Sequence, residues 1–179
     1  MQVDLAVVIK VWFHPCKPVQ FSLGIFCCPM FKPVKTPCVG ICSTGIGDSV
    51  CRGCKRFAHE VIDWNAYSHE QRVIIEQRLA GFLVQVVSRY LEITDLTALK
   101  VQLELQRVRY RDDRDPYCWV FDLLRAGASQ IQAPEHYGLR VLVAADLAQI
   151  KSDIDADYYA LSVAYYDAYI APGLAIPAS

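Results

Sequence analysis

At 179 residues the chain has room for one ordinary domain or two small ones. With 54% hydrophobic and 21% charged residues and a mean hydropathy of +0.20, it can bury a core, which excludes a disordered or low-complexity chain. Eighteen Lys and Arg against 19 Asp and Glu leave a net charge of -1, so no global field favours nucleic acid or anionic lipid.

The N-terminal end is the first segment to weigh. Leu5 to Ile9 is apolar but short, follows Asp4 and precedes Lys10, a poor export signal. Phe21 to Met30 is broken by Ser22, Gly24 and Pro29 and falls short of the ~20 residues that span hydrocarbon as a helix. The chain therefore reads as cytoplasmic, with no membrane partner. Pro15, Pro18, Pro29 and Pro33 permit no long helix, so residues 1–35 read as a Pro-rich extension. Because Met30 stands just before the start of a module, residues 1–29 are expected to lie upstream of the true start.

Residues 36–67 are rich in turn formers, Pro37, Gly40, Gly45, Gly47, Asp48 and Gly53, and hold four of the eight cysteines in the chain. Eight is too many for incidental packing in a reducing compartment and too unevenly spaced for a disulfide framework. Cys38, Cys42, Cys51 and Cys54 are spaced Cys-x3-Cys-x8-Cys-x2-Cys. Each close pair puts two sulfurs on one tight turn, and the longer loop lets the turns meet, so the four thiolates can converge on one soft metal. Gly40 and Gly53 lie between paired ligands, where a missing Cβ lets backbone amides approach sulfur. Lys35, Arg52, Lys55 and Arg56 supply positive charge that favours thiolate. Zinc and an iron-sulfur cluster both accept this ligand set, and spacing alone places zinc slightly ahead. His59 is a weaker substitute ligand, Trp64 and Tyr67 are read as an apolar wall over the centre, and Cys16, Cys27, Cys28 and Cys118 as small buried hydrophobes. With few apolar side chains at regular spacing, residues 36–67 are expected to be ordered mainly by the metal.

Ser68 and Gln71 have the capping-box form, and Val73, Ile74, Leu79, Phe82, Leu83, Val86 and Val87 then predict a helix to about Tyr90. A second cap at Thr94 or Asp95 opens a helix through Leu96, Leu99 and Leu103. Arg107 to Arg111 and Tyr117 to Leu123 flank a polar five-residue connection and predict a hairpin, with Arg107, Arg109, Arg111 and Arg114 on a solvated strand face that offers weak support for nucleic-acid binding. Leu139 to Ala144 is a further strand. From Asp146 onward the net charge is -4, and Tyr158, Tyr159, Tyr165, Tyr166 and Tyr169 form a helical stripe for core or homodimer packing. No phosphate-binding loop, His-Glu-x-x-His, nucleophile elbow or complete dinucleotide fingerprint is present, so the chain reads as non-catalytic.

The run Thr36-Pro37-Cys38 to Cys42, then Cys51-Arg52-Gly53-Cys54-Lys55-Arg56, Glu60, Ile62, Trp64 and Ser68-x-x-Gln71-Arg72, resembles domain-of-unknown-function family 1289, small bacterial proteins described as predicted iron-sulfur proteins. The resemblance covers about residues 36–80. It implies Cys38, Cys42, Cys51 and Cys54 as ligands of an iron-sulfur cluster, most simply 4Fe-4S, and departs at Lys55, where the family frequently has Gly. The combined reading is an α+β protein in which residues 36–80 form a four-cysteine metal module and residues 81–179 a region of helix and hairpin. It would act in electron transfer, cluster handling or sensing with a protein partner; the alternative is a zinc-stabilised module for protein or RNA binding.

Overall fold

Four of the five longest segments of local order begin at a side-chain cap, and these caps set the architecture. The computed structural model describes residues 34–174; the expected extension, the Met30 start and Cys16, Cys27 and Cys28 lie outside them. Helix α1 spans Ala58–Ile62, α2 His69–Tyr90, α3 Leu96–Leu105, α4 Pro116–Gly127, α5 Leu147–Tyr169 and the short α6 Ala171–Leu174, while β1 is Leu91–Ile93 and β2 Leu139–Val141. The class is α+β, as expected.

Ser68 caps α2 through the Gln71 amide at 3.3 Å, and the Gln71 side chain returns to the Ser68 amide at 2.8 Å. The predicted cap and helix length both hold. Ser68→Ala should cost about 1 kcal/mol as a lost cap, measurable as a lower urea midpoint with unchanged slope. Asp95 is the second cap, accepting from Thr97 and Ala98. Asp146 opens α5 by accepting from Gln149 at 2.8 Å.

The predicted hairpin across residues 112–116 is replaced by helix. Asp115 accepts from the Tyr117 amide at 2.9 Å and Pro116 occupies the first turn, where its missing N–H costs nothing and its fixed φ suits a helix. Cys118, Val120, Phe121 and Leu124 then turn inward at helical spacing. The basic run does not form a strand face either. Arg111 donates to both oxygens of the buried Glu76 on α2 at 2.8 Å, and Arg114 adds a third bond at 3.0 Å, so the loop before α4 is clamped to α2.

The predicted strand at Leu139 is present but shorter, and it pairs antiparallel with β1, Leu91 against Val141 and Ile93 against Leu139. Glu92 and Arg140 form an ion pair across the ribbon. Helix α2 is the spine: α4 and α5 both pack on it and on each other, and α3 packs against α4. Leu79, Leu83, Val86 and Val87 of α2 meet Val120 and Leu124 of α4 and Ile150 and Ile154 of α5 in one core. Of the tyrosine stripe Tyr158 is buried, its hydroxyl donating to the Leu79 carbonyl at 3.0 Å, and Tyr165 packs between Phe82 and the exposed Tyr169. No helix among the described residues is long and apolar enough to cross a membrane.

Candidate metal centre

The second cysteine pair sits on a tight reversal of chain. The Cys51 amide donates to the Arg56 carbonyl at 2.8 Å and the Lys55 amide to the Cys51 carbonyl at 2.8 Å, while Val50 and Phe57 form an antiparallel bridge around them. Val50, Cys51 and Phe57 are wholly buried. Phe57 packs against Tyr165 and Tyr166 of α5 at 6.3 and 5.2 Å. This limb is thus anchored in the core by its own apolar side chains, in contrast to the expectation that residues 36–67 are ordered mainly by metal.

The first pair lies on an outer limb, with Cys38 and Cys42 exposed. The two limbs touch. The buried Ser43 hydroxyl accepts from the Arg52 amide at 2.9 Å, and the Cys51 thiol lies 3.6 Å from the Ile41 carbonyl. Gly53 is the point of closest approach: a Cβ there would stand 2.3 Å from the Ile41 oxygen and 2.9 Å from Val39 Cγ2. Glycine is required because backbone packs on backbone. Gly53→Ala should push the limbs apart and lower the metal-to-protein ratio of purified protein without removing a cysteine; an unchanged ratio would mean that limb contact is irrelevant to binding.

Each of the four sulfurs meets a hydrogen-bonding group of the residue two positions on, a donor at Cys38, Cys51 and Cys54 and at Cys42 a hydroxyl that can donate or accept. Cys38 accepts from the Gly40 amide at 3.5 Å, Cys42 lies 3.1 Å from the Thr44 hydroxyl, Cys51 is served by the Gly53 amide and Cys54 by that of Arg56. Such donors stabilise negative sulfur. At Cys51 burial opposes ionisation, yet the amides of Cys54, Ser43 and Gly53 outweigh it and bring the thiol down to about 7 from an ordinary 9.0. At Cys54 burial wins over the Arg56 bonds and the thiol is pushed up. The paired limb therefore offers one thiolate-prone sulfur and one whose ionisation burial opposes and Arg56 favours.

Arg56 is the group with the least explained charge. It is 2% exposed, its Nε donates to Cys54 Sγ at 3.3 Å, its guanidinium stacks 4.8 Å over Trp64, and its Nη1 is buried with no acceptor. Among the described residues it has no carboxylate partner. A permanent cation in that position is costly without nearby negative charge, and thiolates are the candidates at hand. The expected wall is therefore indirect: Trp64 covers Arg56, which covers Cys54.

Lys55, the departure from the resembled pattern, has φ of 60°, a left-handed backbone that glycine enters freely and other residues rarely do. Its buried ammonium compensates, donating to the Arg52 carbonyl at 2.7 Å and to Asp155 of α5 at 2.6 Å. Asp155, a hundred residues away, carried no sequence signal beyond the acidic end of the chain. Glu60 ties the next turn down: it accepts from the Phe57 amide at 2.9 Å and from both terminal nitrogens of Arg78 at 2.8 and 2.7 Å.

No three of the His, Cys, Asp and Glu side chains among the described residues converge on a single point. Cys51 and Cys54 are neighbours, whereas Cys38 and Cys42 stay at the surface of the outer limb, and His59 lies beside the Phe57 ring. The residues nonetheless fit a thiolate-bound metal by donor chemistry: four sulfurs, each with a hydrogen-bonding neighbour, limbs in contact at Gly53, and a buried guanidinium lacking an anion. Residues 36–82 match the family described as protein of unknown function (DUF1289). The matched span takes in both cysteine limbs, α1 and the first part of α2, as the sequence resemblance implied. No curated protein and no solved structure matches the chain.

Metal removal should loosen residues 38–47 first, since most of their side chains are exposed and their backbone bonds few. Residues 57–64 should stay protected by Phe57 and Glu60. Amide hydrogen exchange on metal-loaded and stripped protein reads both regions at once.

Proposed function

We propose that Cys38, Cys42, Cys51 and Cys54 hold one iron-sulfur cluster, of the 4Fe-4S type, and that the protein acts in cytoplasmic electron transfer, cluster handling or sensing together with a protein partner. The observation that carries this reading is Arg56, a buried cation beside Cys54 whose Nη1 has no acceptor. A four-thiolate cluster carries net negative charge and would supply the missing anion. The exposure of Cys38 and Cys42 favours a redox or transfer role over a purely structural one, because a centre ligated there has an edge open to a partner. When bound, the cluster would provide one-electron chemistry. The chain's own residues donate hydrogen bonds to sulfur, shield Cys54 with Arg56 and Trp64, and fix the inner limb on α2 and α5.

Metal analysis of anaerobically purified full-length protein, with its visible spectrum, tests the proposal. A brown protein with about four irons and four acid-labile sulfides per chain, bleached by dithionite, is the expected result. A colourless protein with one tightly held zinc would replace it with the structural-module reading, and a protein with neither metal after reconstitution would end both.

A further inference from the structure

Beside the cysteine turns, between the Arg52–Lys55 backbone and the facing sides of α2, α4 and α5, a cleft of about 400 Å³ opens to solvent. That size lies within the range of small-molecule sites. Its charge is unlike that of the chain as a whole. Five of the 18 Lys and Arg line it, Arg52, Lys55, Arg114, Arg125 and Lys151, but only two of the 19 Asp and Glu, Asp122 and Asp155. The lining side chains thus carry three more positive than negative charges, two of them offset by Asp48 and Glu76 just outside the cleft, and the remaining positive charge sits between low-dielectric walls that strengthen its field.

Three of these cations already have carboxylate partners. Lys55 holds Asp155, Arg52 is paired with Asp48 and Arg114 with Glu76. Lys151 forms no ion pair and no side-chain hydrogen bond among the described residues; Arg125 lies 5.9 Å over the Phe121 ring and acts electrostatically on Asp122, one turn before it, without closing an ion pair. The cleft also has an apolar side, formed by Leu79, Leu83, Phe121, Val39 and Ile41. An unpaired Lys151 with Arg125, two cations to the one carboxylate of Asp122, beside an apolar floor matches a molecule that has one charged end and one greasy end.

We propose that this cleft binds a small organic anion, a carboxylate or phosphate head on an apolar body, with the head at Arg125 and Lys151 and the body over Leu83 and Phe121. Cys54 and the outer-limb residues Val39 and Ile41 also line the cleft, so the site adjoins the candidate metal centre and its rim depends on that limb staying ordered. Because the Arg52–Lys55 turn is its wall, a ligand there contacts the backbone that carries Cys54.

The test is a titration of nitrogen-15-labelled full-length protein, of measured metal content, with sodium octanoate, octyl phosphate and uncharged 1-octanol. Amide shifts at residues 52–55, 79–83, 121–125 and 151–155 should saturate together with at least one of the anions, the tighter of the two identifying the head, and octanol should bind at least about fivefold more weakly. Arg125→Glu combined with Lys151→Glu should weaken the anion about tenfold, the scale of one lost charge-assisted contact, while Arg89→Glu, exposed at the end of α2, should leave it unchanged. Octanol binding as tightly as the anions, shifts scattered outside the cleft, or undiminished affinity in the doubly substituted protein would overturn the proposal.

Discussion

Cys51→Ser is expected to abolish most metal binding, and Cys38→Ser, Cys42→Ser and Cys54→Ser are expected to do the same, while Cys118→Ser leaves the metal-to-protein ratio unchanged. Structural zinc on four thiolates contributes about 10–16 kcal/mol near neutral pH, and a site lacking one ligand of four loses a large part of that. Cys118 serves as the control because it belongs to the core. It is 1% exposed on α4, and burial pushes its thiol up to about 11, so it stays protonated and inert. The acid limit follows from Cys51. Its folded-state thiol titrates below the ordinary value, at about 7, so its contribution to stability is present at alkaline pH and is lost as pH falls through that point. Metal retention in each single variant, measured by elemental analysis after gel filtration, decides the matter; a full complement in Cys51→Ser, or equal loss in Cys118→Ser, would remove these four as a unit.

Glu60→Ala should be the most damaging substitution that leaves every cysteine in place. Its carboxylate, 6% exposed, faces Arg78 at 16% and also accepts from the Phe57 amide. Removing one partner of a buried pair leaves the other charge uncompensated, a loss of about 3–5 kcal/mol. Arg78 has little to fall back on: its Nε is already buried without an acceptor, and its guanidinium lies 3.7 Å over the Phe57 ring. Urea unfolding of Glu60→Ala, Arg78→Met and the double variant gives the coupling directly. The double variant should be less destabilised than the sum of the singles, because it strands no charge. A loss below about 1 kcal/mol in Glu60→Ala, the range of exposed pairs, would show that solvent reaches this junction and that the cysteine module is not locked to α2 through it.

Features whose causes are local were legible in the order of residues. Ser68 with Gln71, Asp95 ahead of Leu96 and the apolar stripe of α2 are short-range patterns, because a cap and a helical face are defined within a turn or two of chain. Asp115-Pro116 was an equally local start signal, and the expected hairpin lost to it because alternating strand character cannot compete with a capped helix whose inner face has a core to join. The spacing of Cys38, Cys42, Cys51 and Cys54 is local as well, and it identified the residues on which the site reading rests.

What surrounds them follows from the assembled packing. Strand β1 is too short to register without β2, almost fifty residues on, and Glu76 clamps Arg111 and Arg114 only because α2 and the loop before α4 are packed together. Phe57 buried against Tyr165 and Tyr166, Lys55 held by Asp155, and Arg56 enclosed with no carboxylate all depend on the cysteine turns lying against α2 and α5. Burial sets the energy of a charge, and burial is a property of the assembled packing, which no run of neighbouring residues specifies on its own.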